Sequence, residues 1–378
     1  MAALTEEQTL LKDQAKAWVS EQAPVLAFRR MRDSGVETCY SPDTWAGIVE
    51  LGWTGILVPE AHGGADMGYL SMGILLEETG RQLTASPLLA SALVGATALR
   101  RGGSPAQQAA WLPRVVDGSA ILTLAVDEGP KHAPERIACA ATANGEGFRI
   151  DGQKAFVLEG MAASHFIVAT RTAGAPLDPS GITLFLVPAD APGVSRTRLR
   201  TSDSRGYANV SFADVRVDAN AVLGSVGEGG ELLTEILDCA RAGLAAEMLG
   251  TATQAFEMTL SYLKTRVQFG QVIGSFQALG HRAAELFTEM ELTRSCVEAA
   301  LQAIDAGSND VAQLASLAKC RAGTFLYNMS NQLIQIHGGI GMTDEFDAGF
   351  YLKRARAIEA VYGNQAYHRN RYANLLGF

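Results

Sequence analysis

Basic charge is in short supply in this chain. Lys and Arg total 31 against 40 Asp and Glu, a formal net charge of −9. No broad positive field therefore exists to hold nucleic acid or an anionic membrane surface. Cysteine is scarce too. Cys39, Cys139, Cys239, Cys296 and Cys320 lie far apart, odd in number, with no C-x-x-C pair. That spacing argues against a disulfide framework or a structural zinc site, and predicts a reducing, cytoplasmic setting without a metal centre. No apolar run reaches the ~18 residues of a membrane span. The opening stretch "MAALTEEQTLLKDQAKAW" has no basic segment followed by an apolar core, so it is not expected to be a signal peptide. Neither a tandem repeat nor a low-complexity tract is present.

What is present is ordinary globular material. Hydrophobic residues make up 48% and charged residues 19% of 378, enough core for two or three domains at ~100–200 residues each. Residues 1–118 carry helical spacing. "TEEQTLLKDQAKAWVSEQA" begins with Thr5 as a cap and two Glu in the first turn. "SPDTWAGIVELGW" places Ser41 as cap and Pro42 at the first helical position. "YLSMGILLEETGRQL" and "SPLLASALVGATALRRGG" read as two further helices, separated from the first pair by the Gly-rich "PEAHGGADM". From 119 to 222 the period shortens. "AILTLAV", "GFRIDGQKAFVL", "HFIVATRT", "GITLFLVPA", "VSRTRLRT" and "NVSFADVRV" are rich in β-branched residues and split by turn residues, which predicts a β-barrel or sandwich of about six to eight strands. Residues 223–378 return to the helical period in three long stretches with short links, an antiparallel four-helix bundle. The expected class is α+β, in three domains.

Two stretches interrupt the long helices. In "RVQFGQVIGSFQ" an ordinary turn explains the glycines. A ligand reading gives Arg266 a phosphate, makes Phe269 an apolar plate and Gln277 a second donor. "QIHGGIGMTDEF" is an ordinary helix end, or a place where Gly338 and Gly339 bring backbone close to an anion.

Taken together, these stretches resemble the acyl-CoA dehydrogenase family. The pairing of R-x-x-F-G, a Gln eleven residues after the Arg, and a later Q-x-x-G-G-x-G carries the resemblance. "LGWTGILVPEAHGGADM", "DGQKAF" and "YLKRAR" support it in the same order, over residues 5 to 375. The resemblance implies a helical N-terminal domain, a middle β domain and a C-terminal bundle. It also implies an FAD cofactor held across a subunit boundary by Arg266, Phe269, Gln277, Gln335, Gly338 and Gly339, with Phe156 stacking on the flavin. An acyl-CoA thioester would be oxidised to its enoyl form, a tetramer would be the assembly, homo- or heteromeric, and an electron-transferring flavoprotein would take the electrons.

That chemistry needs a base beside the α-carbon and donors on the thioester carbonyl. In many relatives the base is the Glu of a C-terminal Y-E-G-T; here the stretch is "VYGNQAY", with Gly363 in its place. A second group uses the residue before a bundle-helix Arg; here that is Ala240, ahead of Arg241. Glu247, in "RAGLAAEMLG", lies seven residues on, about two helical turns, and so on nearly the same face. Gly243 and Gly250 flank it there, leaving expected space for a bulky acyl chain. The "AAEMLG" pattern also resembles a bacterial subgroup that includes steroid side-chain enzymes. The alternative is a Glu247 that pairs with another helix or reaches solvent. Arg241 is read either as a substrate contact or as a packed structural residue. Glu128 and Glu159 are rival carboxylates in turn-like sequence, expected at the surface. Two family motifs are altered: "LAVDEGPKHAP" stands for T-E-P-x-x-G-S-D and "FVLEG" for W-I-T-N, so Leu158 offers no donor. Three readings follow: an FAD-dependent acyl-CoA dehydrogenase for a bulky or steroid side-chain thioester, with Glu247 as base; a non-catalytic subunit of a heteromeric dehydrogenase; or a flavin monooxygenase or nitroalkane-oxidase-like enzyme, since fold does not fix chemistry.

Overall fold

The computed structural model describes residues 4–378, so the first three residues of the stretch read against a leader lie outside it. Six helices come first: α1 Glu6–Gln22, α2 Val25–Ser34, α3 Pro42–Glu50, α4 Gly68–Arg81, α5 Ala96–Gly102 and α6 Pro105–Val116. Thr5 caps α1 through a reciprocal box with Gln8, and Ser41 caps α3 with Pro42 at its start, as the sequence spacing dictates. The stretch expected as a helix before Gly102 is helical throughout, with Leu89–Gly95 wound as a π-helix that runs into α5.

Eight strands follow: β1 Leu122–Ala125, β2 Ala140–Asn144, β3 Gly147–Val157, β4 His165–Arg171, β5 Ile182–Pro188, β6 Val194–Arg198, β7 Ala208–Asp218 and β8 Val222–Leu223. They form one sheet in the order β6-β7-β3-β2-β4-β5-β8, with β1 alongside β4 in parallel. The sheet folds over its own interior. Phe166, Val168, Phe185 and Val187 from β4 and β5 share one apolar cluster with Ile150, Val210, Phe212 and Val215 from β3 and β7. The opposite faces of β4 and β5, with Ile167, Ala169, Leu184 and Leu186, join the core of the helical part. Burial on both faces is why "HFIVAT" and "ITLFLV" are unbroken apolar runs.

The bundle is built from α7 Gly229–Thr265, α8 Gln277–Asp305, α9 Val311–His337, α10 Ala348–Ile358 and α11 Gln365–Leu375. Helix α9 packs on α7, α8, α10 and α11, while α7 also packs on α4. That last contact is close. A Cβ on Gly250 would fall 1.8 Å from the Glu77 carbonyl oxygen, and one on Gly80 would fall 2.3 Å from that of Glu247. Two missing side chains let the backbones of α4 and α7 meet, and the Thr251 hydroxyl donates to the Gly80 carbonyl across the crossing. Between α7 and α8 a short hairpin, β9 Val267–Gln268 and β10 Gln271–Val272, replaces the plain helix–helix turn expected there. None of the helices among the described residues is long and apolar enough to cross a membrane.

Candidate active site

The seam between the sheet and the bundle is closed by one loop and one arginine. The loop is "DEGPKHAPERIAC", 127–139. Two adjacent acids shape it: Asp127 accepts from the His132 ring and the Ala133 amide, and Glu128 accepts from the Ala138 and Cys139 amides and from the buried Lys154 ammonium at 2.7 Å. Glu128 is thus a partly buried brace, not the surface carboxylate expected of it. His132 is thereby aimed at α7. Its Nδ1–H donates to Asp127, and its Nε2 accepts from Arg241 Nη2 at 3.0 Å, the tautomer its two partners dictate. Burial holds this imidazole below its usual pKa, against the pull of Asp127.

Arg241 is fully committed to protein. Nε donates to the Tyr362 carbonyl, Nη1 to Asp238, and Nη2 to His132 and the Tyr367 hydroxyl. With every nitrogen engaged and 1% of the residue exposed, it organises the site from within the protein. Of the two readings of Arg241, this geometry supports the packed structural one. Its carbonyl partner lies in the "VYGNQAY" turn. There Gly363 has φ +104°, and a Cβ would stand 2.5 Å from Tyr367 Cδ1 and 2.9 Å from His368 Nε2. The position that holds the base in many relatives has neither a side chain nor room for one.

Glu247 faces this seam from α7. It is 5% exposed and belongs to an ionic cluster. Oε1 accepts from Arg205 Nη1 at 2.7 Å and from Arg354 Nη1 at 3.4 Å. Oε2 takes no hydrogen bond from any described residue. Arg205 Nε also donates to Glu159 at 2.9 Å, and Arg354 Nε lies 3.2 Å from Asp203. Glu159 is 2% exposed, so its expected surface position is corrected. Glu159 itself takes a left-handed φ of +53° just after β3, and burial pushes its carboxyl up from the ordinary range, opposed by Arg205.

The space expected beside Glu247 is filled. A Cβ on Gly243 would fall 2.3 Å from Leu93 and 3.1 Å from Leu76, and Gly250 lies on the α4 backbone. These glycines serve helix crossing, which corrects their assignment as walls of an acyl pocket. Sequence reasoning missed Arg205, Asp203, His132 and Tyr367. The available signals were the D-x-R of "SDSR" in the loop between two strands and two arginines in "YLKRAR" on a mostly apolar helix.

The second group of candidates gathers at the far end of α7. Arg266, Phe269 and Gln335 line one groove of about 350 Å³ with Tyr262, Ile336 and His337. Phe269 and Gly270 form the hairpin's two-residue turn, both at positive φ, and Phe269 is 90% exposed. Gln277 opens α8 at the surface and is outside the groove lining. Gly338 ends α9 with φ +63°, and a Cβ on it or on Gly339 would meet nothing within 4 Å.

The three domains match three family models, described as acyl-CoA dehydrogenase N-terminal domain at residues 5–119, middle domain at 132–219 and C-terminal domain at 227–376. The chain belongs to the acyl-CoA dehydrogenase family. Acyl-CoA dehydrogenase FadE27 of Mycobacterium tuberculosis is 29% identical over 87% of this chain and 86% of its own. Among solved structures, the Tcur3481-Tcur3483 steroid ACAD is 32% identical, covers 98% of both chains and superposes with a TM-score of 0.89. The ChsE4-ChsE5 complex from Mycobacterium tuberculosis is 26% identical, covers 100% of this chain and 99% of that one, and gives 0.90. As an acyl-CoA dehydrogenase the protein is an oxidoreductase and an FAD flavoprotein.

The residues present fit that cofactor. Phe156, at φ +54°, stacks on Tyr207 at 4.3 Å. The Tyr207 and Tyr362 hydroxyls and Glu159 Oε2 are buried without partners. Buried polar atoms seldom stay unpaired, and a polar ring edge would satisfy such a set. The exposed Arg266, Gln335 and Gly338–Gly339 offer donors to a diphosphate.

Proposed function

We propose that this acyl-CoA dehydrogenase desaturates a bulky acyl-CoA thioester, of the steroid side-chain kind, with Glu247 as the base that takes the α-proton. One observation carries this reading. Glu247 is a buried carboxylate at the seam of sheet and bundle, fixed through Oε1 by Arg205, with Oε2 bare. Position 240 is an alanine and position 363 has no room for a side chain. The likeness to a steroid acyl-CoA dehydrogenase supports the substrate class.

In this mechanism Arg205 orients the carboxylate so that Oε2 points at the substrate, and Arg241 holds the 362–367 turn and the 127–139 loop together over it. The Cα–H proton passes to Glu247 while the β-hydride leaves the substrate. Bound FAD supplies the hydride acceptor. Phe156 and Tyr207 would face the ring, and Arg266, Phe269, Gln277, Gln335, Gly338 and Gly339 would hold the rest of the cofactor across a subunit boundary. The exposed Phe269 at the hairpin tip supports an oligomer, a tetramer by resemblance, with an electron-transferring flavoprotein as acceptor.

Anaerobic mixing of Glu247→Gln with steroid side-chain and linear acyl-CoAs tests the reading. Bleaching of the flavin should disappear while bound FAD is retained; undiminished bleaching removes Glu247 from the role. The alternative, a non-catalytic subunit of a heteromeric dehydrogenase with a catalytic partner, is not favoured. It predicts bleaching only after mixing with that partner.

A further inference from the structure

One guanidinium serves two acids in the cluster. Arg205 gives Nε to Glu159 and Nη1 to Glu247. We propose that Glu159 is a positioning residue for the base: by sharing Arg205 it keeps one surplus negative charge on the trio and so leaves Glu247 able to accept a proton. This rests on the reading of Glu247 as the base.

The charge count decides the matter. A carboxylate paired with its own arginine at 2.7 Å is a poor proton acceptor, because protonation forfeits a buried ion pair. Here the nearer arginine is divided between two carboxylates. The farther one, Arg354, is offset by Asp203. Three acids face two guanidiniums, all almost without contact to water, and the surplus charge is relieved when one proton arrives. Replacing Glu159 by a neutral group would leave Glu247 and Arg205 as a balanced pair, and the base would weaken. Burial pushes the Glu159 carboxyl up, the direction a surplus requires.

One further cation, Arg198, reaches Cys39 from the neighbourhood of Glu159 and Asp203 and donates to the Val36 carbonyl; the other charges nearby are paired. Against the Glu247 side of α7, Glu77 is paired with Arg294, and Arg81 with Glu78 and Glu257. Around Glu159, the Tyr207 and Tyr362 hydroxyls and the Cys39 thiol are held neutral, each pushed up by burial. The sequence also makes a place for this acid: a Cβ at Gly206 would stand 3.1 Å from Glu159 Oε2. Where relatives carry the Asn of W-I-T-N, this chain has an acid and a glycine beside it.

The test uses the FAD-loaded enzyme with Glu159→Gln, Glu159→Asp and Glu247→Gln. The first readout is the pH profile of anaerobic flavin bleaching by acyl-CoA. Glu159→Gln should move the acidic limb down by about one pH unit and slow the maximal rate about tenfold, the scale of one ion-pair rearrangement. Glu159→Asp, which keeps the charge, should keep the limb of the wild type. The second readout is the thermal midpoint against pH without substrate. A carboxyl raised in the folded state stabilises below the ordinary carboxylate range, and that stability is lost as pH rises through the folded value. The wild type should therefore lose stability over that window, and Glu159→Gln should not. A Glu159→Gln enzyme with an unmoved limb and an unaltered melting slope overturns the proposal. If Glu247→Gln is silent while Glu159→Gln keeps the wild-type limb, the sharing fails and the base reading stands. If Glu247→Gln still bleaches, the base reading itself fails. Should Glu159→Gln not fold, Glu159→Met removes the same charge without adding a polar group to be buried, and an unmoved limb there overturns the proposal equally.

Discussion

Restoring the acid that many relatives carry, by Gly363→Glu, should not repair or enhance catalysis here; it should damage the fold. The backbone at 363 has φ +104°, a conformation costing a residue with a Cβ about 1–3 kcal/mol. The new Cβ would begin 2.5 Å from the Tyr367 ring and 2.9 Å from His368 Nε2, an ångström or so inside normal contact, and such overpacking costs about 1–3 kcal/mol. Neither ring yields freely. Tyr367 accepts a hydrogen bond from Arg241, and the fully buried His368 bonds the Tyr362 carbonyl. Displacing His368 forfeits that bond, worth about 1 kcal/mol. The sum, about 3–7 kcal/mol, is a large part of the ~5–15 kcal/mol that keeps a protein folded. The assay is urea unfolding followed by tryptophan fluorescence, with bound FAD read in parallel. Gly363→Ala carries the strain and the clash without the charge and should lose most of the same stability. A Gly363→Glu protein that unfolds at the wild-type midpoint, with full cofactor, would refute the reasoning about this turn.

Gly250→Ala should open the α4–α7 crossing. The Cβ meets a carbonyl oxygen of the backbone, so the gain in helix propensity of about 1 kcal/mol is outweighed by overpacking at or above ~3 kcal/mol; calorimetry should show an earlier transition, and one unchanged or raised contradicts the packing. Lys319 offers a pH test. Burial lowers its pKa from 10.5 to about 8, and its amine donates to the Glu359 and Gly363 carbonyls. Between those two values the unfolded chain binds the extra proton, so this group makes stability rise with pH, by on the order of 3 kcal/mol at most. Lys319→Met should lack that contribution, and the gap between wild type and variant in denaturant midpoint should widen from pH 8 to 10.5. A constant gap would show that the amine is already neutral, or fully charged, across the window.

Much of the architecture is legible in the residue order, because periodicity reports burial. The long bundle helices show as sustained helical spacing. The doubly buried β4 and β5 show as unbroken apolar runs, and the caps at Thr5 and Ser41 as short polar signals. The convergence of Arg266, Phe269 and Gln335 in one groove also agrees with their motif. What the order of residues does not reveal is which partner a charge finds. Glu159 sits in turn-like sequence and reads as exposed, yet in its own left-handed conformation it lies buried against Arg205. Gly243 and Gly250 read as vacant space, because a missing side chain looks the same whether a ligand or a neighbouring helix fills the gap. Arg241 reads as a possible substrate contact, since nothing local shows that His132 and Tyr362, more than a hundred residues away on either side, bond its nitrogens.

The full engagement of Arg241 has a consequence for how the molecule can be taken apart. Besides Asp238 on its own helix, its partners come from the middle sheet's loop and from the chain's last helical segment, so neither can be cut away without leaving buried guanidinium hydrogen bonds unmade. Gene-level swaps of the central module between related enzymes would need His132 and Asp127 to travel with the recipient's Arg241. Without them, the hybrid would lose a buried hydrogen bond where its pieces join, with only the Asp238 ion pair left to hold the arginine.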